Sequence, residues 1–214
     1  AYIVQYIVQH TVGKLLAGKS SKQAAGITIL DPACGSGSFL IGAYQYLLDW
    51  YLARYVAEGA EKNSKGKAAR LRPSSASGEW RLTTSEKKRI LLDHIYGVDI
   101  DAQAVEVTKL SLLLKVLEGE SGESLNSQMK LFHERVLPDL DRNIQCGNSL
   151  IGPDFYDGQL DLDDETAQRI NAFDWQVAFP QIFKAGGFDA VIGNPPYVRQ
   201  ETLGAAFKQY AQQR

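Results

Sequence analysis

The stretch GITILDPACGSGSFL, residues 26–40, is the strongest indication of the fold class of this chain. Its β-branched beginning predicts a short buried strand that ends at Asp31. The proline and glycines that follow predict a tight turn, and the apolar residues from Phe39 to Val56 predict a long helix. A strand, a glycine-rich turn and a helix in this order are typical of one unit of an α/β fold with a parallel sheet.

The same alternation of strands and helices repeats along the rest of the chain. Further buried strands are predicted at 94–100, 143–148 and 188–192, and helices at 3–16, 102–118, 129–134 and 166–184. Strands that alternate with helices form right-handed crossovers and a mostly parallel sheet. We therefore expect a three-layer α/β architecture with helices on both faces of the sheet.

Residues 58–89 differ from their surroundings. Between Lys62 and Arg89 the chain has nine Lys or Arg residues against two acids, Glu79 and Glu86, and is rich in Ser and Gly. This composition predicts a basic, flexible insertion whose last part, from Thr84, becomes helical. Its cations either lie in a solvated loop or contact phosphate groups, and the candidates for contact are Lys65, Lys67, Arg70 and Arg72.

The overall composition excludes several classes of protein. The 214 residues are 44% hydrophobic and 22% charged, with a net charge of −2, which fits a globular domain and not a polybasic protein. Cys34 and Cys146 form no CxxC pair, so neither a disulfide scaffold nor a structural zinc site is expected. Polar residues within 39–56 argue against a membrane span, and no targeting segment is recognisable. We expect a cytoplasmic protein, and a chain cut from a longer one.

Each predicted strand is followed by a polar or glycine-rich loop. These four loops comprise residues 31–37, 99–101, 147–149 and 194–197. Because ligands of parallel α/β sheets bind beyond the carboxyl ends of the strands, the four loops predict a ligand site at that edge.

The first loop resembles a nucleotide-binding turn in part. Gly35 and Gly37 permit a tight turn and a close approach of backbone to ligand, at the start of a helix. The third glycine of a dinucleotide fingerprint is replaced by Leu40, which favours a nucleoside over a pyrophosphate. An ordinary strand-to-helix turn explains the two glycines equally well.

The second and third loops offer hydrogen-bonding side chains. Asp99 stands where an acid accepts hydrogen bonds from both hydroxyls of a ribose. Asp101 is better explained as a helix cap. Asn148 either hydrogen-bonds an adenine edge or is a turn residue beside Gly147.

The fourth loop, Asn-Pro-Pro-Tyr, is the most specific of the four. Two prolines make it rigid, because each one fixes its own φ angle. The Asn194 side-chain oxygen and the Pro195 carbonyl can both accept from one amino group. Tyr197 offers an aromatic face on which a planar base can stack.

Together the segments DPACGSGSFL, GVDID, GNS and GNPPYVRQE resemble the gamma group of adenine-N6 DNA methyltransferases, which use S-adenosylmethionine. The chain is most similar to the modification domains of type I and type IIG restriction–modification enzymes. The resemblance implies a Rossmann-like class I methyltransferase fold. It also implies that residues 1–214 are a partial catalytic domain, with four of the family's seven strands and no target-recognition domain.

The resemblance also assigns roles to residues. The methionine part of the cofactor is held by Asp31, Ala33, Gly35 and Gly37. The ribose, the adenine ring and the adenine amino group of the cofactor are held by Asp99, Ile100 and Asn148, the last in place of the family's usual Asp. The target adenine is gripped by the catalytic residues Asn194, Pro195 and Tyr197, with Pro196 as a further substrate contact.

The function implied is methyl transfer from S-adenosylmethionine to N6 of a flipped-out adenine in double-stranded DNA, leaving S-adenosylhomocysteine and needing no metal. The implied partners are a specificity subunit, or fused target-recognition and nuclease domains. No association with a membrane is implied. The fragment alone is expected to be inactive. The alternatives are an amino-methyltransferase that acts on RNA or on a protein glutamine amide, and a non-catalytic nucleotide-binding remnant.

Overall fold

The structure, a computed structural model, describes residues 2–66, 68–74, 78–120, 137–157, 164–196 and 210. Its strands are β1 (Ile29–Asp31), β2 (Leu71–Pro73), β3 (Trp80–Leu82), β4 (Ile95–Asp99), β5 (Ile144–Cys146) and β6 (Ala190–Val191). The four strands predicted from the sequence form one parallel sheet in the order β5-β4-β1-β6. The prediction of a Rossmann-like α/β fold is therefore confirmed.

The helices, in chain order, are α1 (Tyr2–His10), α2 (Val12–Leu16), α3 (Ser21–Ala24), α4 (Ser38–Ala57), α5 (Ala60–Asn63), α6 (Thr84–His94), α7 (Ala102–Leu117), α8 (Asp164–Ile170), α9 (Trp175–Ala178) and α10 (Pro180–Lys184), with a 3-10 turn at Pro153–Tyr156. The helix predicted over 129–134 lies outside the described residues. Within the described residues, none of these helices is long and apolar enough to cross a membrane.

Two of the predicted helices are divided in the structure. The helix predicted over 3–16 is interrupted at Thr11, which separates α1 from α2. The single helix predicted over 166–184 is wrong, because Asn171 takes a left-handed φ of 48° after α8 and Pro180 begins a new helix. Between these two positions Asp174 caps α9 by accepting from two backbone N–H groups.

Hydrophobic layers cover both faces of the sheet. In β1, Ile29 points into the larger core, which α1, α4, α6 and α7 complete, whereas Leu30 points into a smaller aromatic cluster with Phe173 and Phe179. Alternate residues of a strand face opposite sides, so β1 is buried on both. This burial fixes the central strand, and with it the position of the loop that follows Asp31.

Three tyrosines on one face of α4 attach it to α6. The hydroxyl of Tyr44 donates to the Lys87 carbonyl (2.8 Å), and that of Tyr55 donates to Glu86 Oε1 (2.6 Å). Tyr51 lies 2.9 Å from Nε2 of His94, whose Nδ1 lies 2.6 Å from the Ile27 carbonyl. Because a carbonyl only accepts, Nδ1 of His94 donates, and Nε2 accepts from Tyr51.

The basic insertion contains an antiparallel hairpin, β2 with β3, that the sequence analysis did not predict. Leu71 and Leu82 are buried in the larger core, and β3 packs against α4. Arg72 pairs with the fully buried carboxylate of Glu120 at 2.8 Å. The predicted helical end of the insertion is confirmed as α6, which Thr83 caps.

The insertion lies away from the carboxyl ends of the strands. Helix α4 starts just after β1 and α7 just after β4, so both helices run from the carboxyl edge of the sheet towards its amino edge. The hairpin reaches the end of α7 through the Arg72–Glu120 pair. Of the candidate phosphate contacts, Arg72 is thus engaged within the fold, and Arg70 lies over the Tyr55 ring at 5.1 Å. Lys67 lies outside the described residues.

Candidate active site

The four loops predicted to carry the chemistry lie side by side at the carboxyl edge. Their order across the sheet follows the strands, from Asn148 after β5, through Asp99 at the end of β4 and Asp31 at the end of β1, to Asn194 after β6. Residues that are up to 163 positions apart in the chain are neighbours here because parallel strands end together.

The glycine loop, residues 32–37, has the conformation that its sequence requires. Gly35 and Gly37 have φ angles of 51° and 79°, and α4 begins directly after Gly37. A Cβ atom at Gly37 would come within 2.9 Å of the Thr108 hydroxyl, so the position has no room for a side chain. At Gly35 the space around a Cβ is open, and only the backbone angle favours glycine there.

Asp31, the first residue of the first loop, is almost fully buried, at 1% exposure. Its Oδ1 accepts from the Ala33 N–H at 3.1 Å. On its other side, a Cβ at Gly193 would lie 2.6 Å from the same oxygen, so the carboxylate lies against the backbone that precedes Asn194. The candidate cofactor loop and the candidate catalytic loop are therefore in direct contact.

The pKa of the Asp31 carboxyl is raised to about 6, mainly because the group is buried. The hydrogen bond from the Ala33 N–H lowers this pKa, and the nearby Asp99 carboxylate raises it. A carboxylate held in this way is costly to ionise without a cation beside it. The site thus offers a buried acceptor that suits a positively charged ligand group.

Replacement of Asp31 by asparagine is expected to stabilise the folded protein by about 2 kcal/mol at pH 8. The folded pKa lies above that of the unfolded chain, so the native protein loses stability as the pH rises from about 4 to about 6. Asparagine keeps the acceptor for Ala33 and has no charge to ionise. Urea unfolding of both proteins at pH 8 and pH 5 tests this, with a smaller gain expected at pH 5.

The exposed Asp49 on α4 provides the control. Asp49→Asn is expected to change the free energy of unfolding little at either pH. A gain for Asp31→Asn that is the same at both pH values would contradict the raised pKa.

Asp99 connects the second loop to the first. Its Oδ2 accepts from the Gly35 N–H at 2.7 Å, and its Oδ1 accepts from the Asp101 N–H at 2.9 Å. Asp101 caps α7 by accepting from the Gln103 N–H, as the sequence predicted. Ile100 between them is 51% exposed, so its side chain is available to a ligand.

Asn148 has the turn geometry that was one of its two predicted roles. Its Oδ1 accepts from the Leu150 N–H at 3.1 Å, two residues onward, which is an Asx turn. Gly147 before it is packed so closely that a Cβ would come within 2.4 Å of the Phe173 ring. The half-buried Asn148 is thus fixed close to the end of β4, where the Gly147 N–H donates to the Asp99 carbonyl at 2.8 Å.

The fourth loop begins shortly after β6. Between them, the backbone N–H of Ile192 donates to the Leu30 carbonyl of β1 at 2.8 Å. Asn194, Pro195 and Pro196 are exposed at the edge of the sheet. Tyr197, the fourth member of the predicted motif, lies outside the described residues. Among the residues that the structure describes, no cluster of His, Cys, Asp or Glu could hold a metal ion.

Two residues of the site were missed by the sequence analysis. Thr108 is fully buried on α7, and its hydroxyl donates to the Gly35 carbonyl at 2.8 Å. Gly193 makes the close approach to Asp31 possible. Because Gly193 directly precedes the Asn-Pro-Pro motif, the sequence could have identified it as a site residue. A single threonine in a largely apolar helix gives no such indication.

Comparison with known proteins identifies the family of this chain. The model of the family described as "Eco57I restriction-modification methylase" matches residues 93–214. The chain belongs to this family. A second model, described as an RMKL-like methyltransferase domain, matches residues 17–119 and so covers the glycine loop. The resemblance to restriction–modification methyltransferases stated from the sequence is confirmed.

Three curated proteins are similar in sequence to this chain. It is 34% identical over 202 residues to the type II restriction enzyme and methyltransferase RM.Eco57I of Escherichia coli, covering 94% of this chain and 18% of that protein. A putative type II restriction enzyme and methyltransferase of Methanocaldococcus jannaschii is 37% identical over 126 residues, covering 59% of this chain and 9% of that protein. The adenine-specific methyltransferase PglX of Streptomyces coelicolor is 29% identical over 185 residues, covering 86% and 13%. This chain therefore spans less than a fifth of each relative.

Among solved structures, a nuclease-deletion mutant of the type ISP restriction–modification enzyme LlaGI, in complex with a DNA substrate mimic, has a similar fold. The TM-score is 0.51 at 16% identity, over 98% of this chain and 14% of that one. At this identity the likeness concerns the fold alone.

Proposed function

We propose that this chain forms the cofactor-binding and catalytic part of a restriction–modification enzyme that methylates N6 of adenine in DNA, with S-adenosylmethionine as the methyl donor. The observation that carries the proposal is the contact of the Asp31 carboxylate with the backbone at Gly193. It brings a nucleoside-type glycine loop and an Asn-Pro-Pro segment to one site. The adenine-specific relative and the type II relative support the choice of DNA adenine.

The residues present fit the cofactor. The buried carboxylate of Asp31 suits an ammonium group, since a cation offsets the cost of ionising it. Open space at Gly35 lets the cofactor approach the loop backbone. Asp99 keeps lone pairs for the two ribose hydroxyls, because each of its oxygens accepts one backbone N–H from the residues that the structure describes.

The adenine of the cofactor would lie between the second and third loops. Ile100 offers an exposed apolar side chain there, and Asn148 a polar one at the end of β5. S-adenosylmethionine, when bound, supplies a methyl group that its sulfonium already activates. Ala33 and Gly37 belong to the same loop as Gly35 and keep the backbone close to the methionine part.

At the target base, the Asn-Pro-Pro segment supplies two acceptors. The exocyclic amino group of adenine is a poor nucleophile because its lone pair is delocalised into the ring. Asn194 Oδ1 and the Pro195 carbonyl, by accepting hydrogen bonds from its two N–H groups, favour a tetrahedral nitrogen whose lone pair points at the methyl group. The rigid prolines keep the two acceptors in place before the base arrives, and Pro196 lines the same segment.

A base inside a duplex cannot reach this edge of the sheet, so the target adenine must leave the helix. The exposure of Asn194, Pro195 and Pro196 is consistent with a base that arrives from outside the domain. Tyr197, assigned from the sequence, would replace part of the lost stacking. Sequence reading and cleavage would belong to further domains or subunits.

The test is to express the complete gene product in a host that lacks DNA methylation and to map modified bases across the host genome. We expect N6-methyladenine in one sequence context and none in cells that express an Asn194→Ala variant at the same level. Unmodified DNA from a protein that binds S-adenosylmethionine would contradict the DNA assignment, and would favour RNA or a protein glutamine amide as the substrate.

A further inference from the structure

Both backbone polar groups of Gly35 are bound by side chains from outside the glycine loop. Its N–H donates to Asp99 Oδ2 at 2.7 Å, and its carbonyl accepts from the Thr108 hydroxyl at 2.8 Å. The two side chains come from the end of β4 and from α7. The most flexible residue type of the loop is therefore fixed at both of its peptide groups.

The hydroxyl of Thr108 behaves unlike two other hydroxyls that lie in or directly next to helices. Ser111 on the same helix donates to the Val107 carbonyl one turn back, and Thr11 donates to the Ile7 carbonyl at 2.7 Å. Such bonds within the helix are the usual choice of a helical hydroxyl. Thr108 is fully buried, and its hydroxyl instead donates to the carbonyl of Gly35 in another segment.

Thr108 also determines the space beneath the loop. Its hydroxyl and methyl group would lie 2.9 and 3.0 Å from a Cβ at Gly37, so it packs directly under that residue. A threonine side chain in a helix is restricted to two χ1 rotamers, which limits how far this support can move. The same side chain thus supports Gly37 and holds Gly35.

We propose that Thr108 is a positioning residue that holds the glycine loop in its cofactor-binding geometry. The expected effect of Thr108 on cofactor affinity rests on the proposed function. Its expected effect on the loop rests on its contacts with Gly35 and Gly37. Without the hydroxyl, the Gly35 carbonyl is free to turn, and the cofactor must then order the loop when it binds. That ordering cost lowers affinity without changing the chemistry of methyl transfer.

The experiment compares Thr108→Val, Thr108→Ser and Thr11→Val in the complete gene product. Valine keeps the shape and removes the hydroxyl, serine keeps the hydroxyl, and Thr11→Val removes a comparable hydroxyl from the distant α1–α2 junction. Two measurements are made on each variant. They are hydrogen–deuterium exchange of the peptide spanning residues 32–38, without ligand, and the dissociation constant for S-adenosylmethionine.

For Thr108→Val we expect faster exchange in residues 32–38 and an affinity weaker by about five-fold, the effect of one lost hydrogen bond. The rate at saturating cofactor should stay within about two-fold, as for an interaction that acts on binding alone. Thr108→Ser should keep the exchange rate and the affinity close to those of the unsubstituted protein, and Thr11→Val should change neither of them.

Unchanged exchange in Thr108→Val would overturn the proposal even if the affinity had fallen. Equal effects of valine and serine would also overturn it, because the hydroxyl would then be irrelevant. If the unsubstituted protein does not bind S-adenosylmethionine, the proposed function fails, while the exchange measurement still decides the role of Thr108.

Discussion

Replacement of Asn194 by alanine is expected to lower the rate of methyl transfer by about 10³-fold, while the affinity for S-adenosylmethionine changes by less than about three-fold. Removing a single preorganised polar group that stabilises a transition state has effects of this size. Asn194 is exposed beyond β6, and the cofactor contacts proposed here come from the other three loops. Single-turnover rates with saturating DNA, together with calorimetric titration of the cofactor, measure the two quantities separately.

Asn194→Asp is the matched variant, since it keeps an acceptor oxygen of nearly the same reach. It should retain more activity than the alanine variant. Loss of cofactor affinity in proportion to the loss of rate would place Asn194 in the cofactor site instead and remove it from the catalytic role.

The second large effect is expected at Asp99. Asp99→Asn should weaken the binding of S-adenosylmethionine by about 100-fold and lower the free energy of unfolding by about 2 kcal/mol. Both carboxylate oxygens accept from backbone N–H groups, those of Gly35 and Asp101. An asparagine must turn its NH₂ group towards one of these donors, so one N–H loses its partner and the glycine loop loses its support. The ribose would lose a charged acceptor as well.

The neighbouring Asp101 provides a control with the same substitution. It caps α7 by accepting from the Gln103 N–H, and asparagine caps a helix about as well as aspartate. Asp101→Asn should therefore leave both the affinity and the stability nearly unchanged. Similar losses for the two variants would show that charge near this edge, and not the hydrogen bonds of Asp99, is responsible.

The parts of the fold that were predictable have local causes. The strand before the glycine loop is buried on both faces, and its continuous apolar run expresses that directly. The glycines at 35 and 37 do occupy left-handed backbone, and the cap at Asp101 is formed within a few residues of it. The four strand-end loops could be placed at one edge because parallel strands allow no other arrangement.

The parts that were missed depend on contacts between distant segments. Each strand of the hairpin in the insertion has three residues, one of them an arginine, so neither has a pattern of its own. It exists because Leu71 and Leu82 are buried in the core and Arg72 meets Glu120. Likewise, only the crossing of α7 over the glycine loop decides that Thr108, and no other residue of that helix, reaches Gly35.

The position of the insertion at the amino edge has a consequence for how related proteins are found. Asp31 and Asp99 end neighbouring parallel strands at the carboxyl edge, yet the chain between them passes through the hairpin, which lies towards the amino edge of the sheet. The length of the insertion is therefore free to change without moving either Asp31 or Asp99. A motif search that fixes the number of residues between the glycine loop and the acid that ends β4 would pass over such chains. A search that asks only which residue ends each strand would retrieve them.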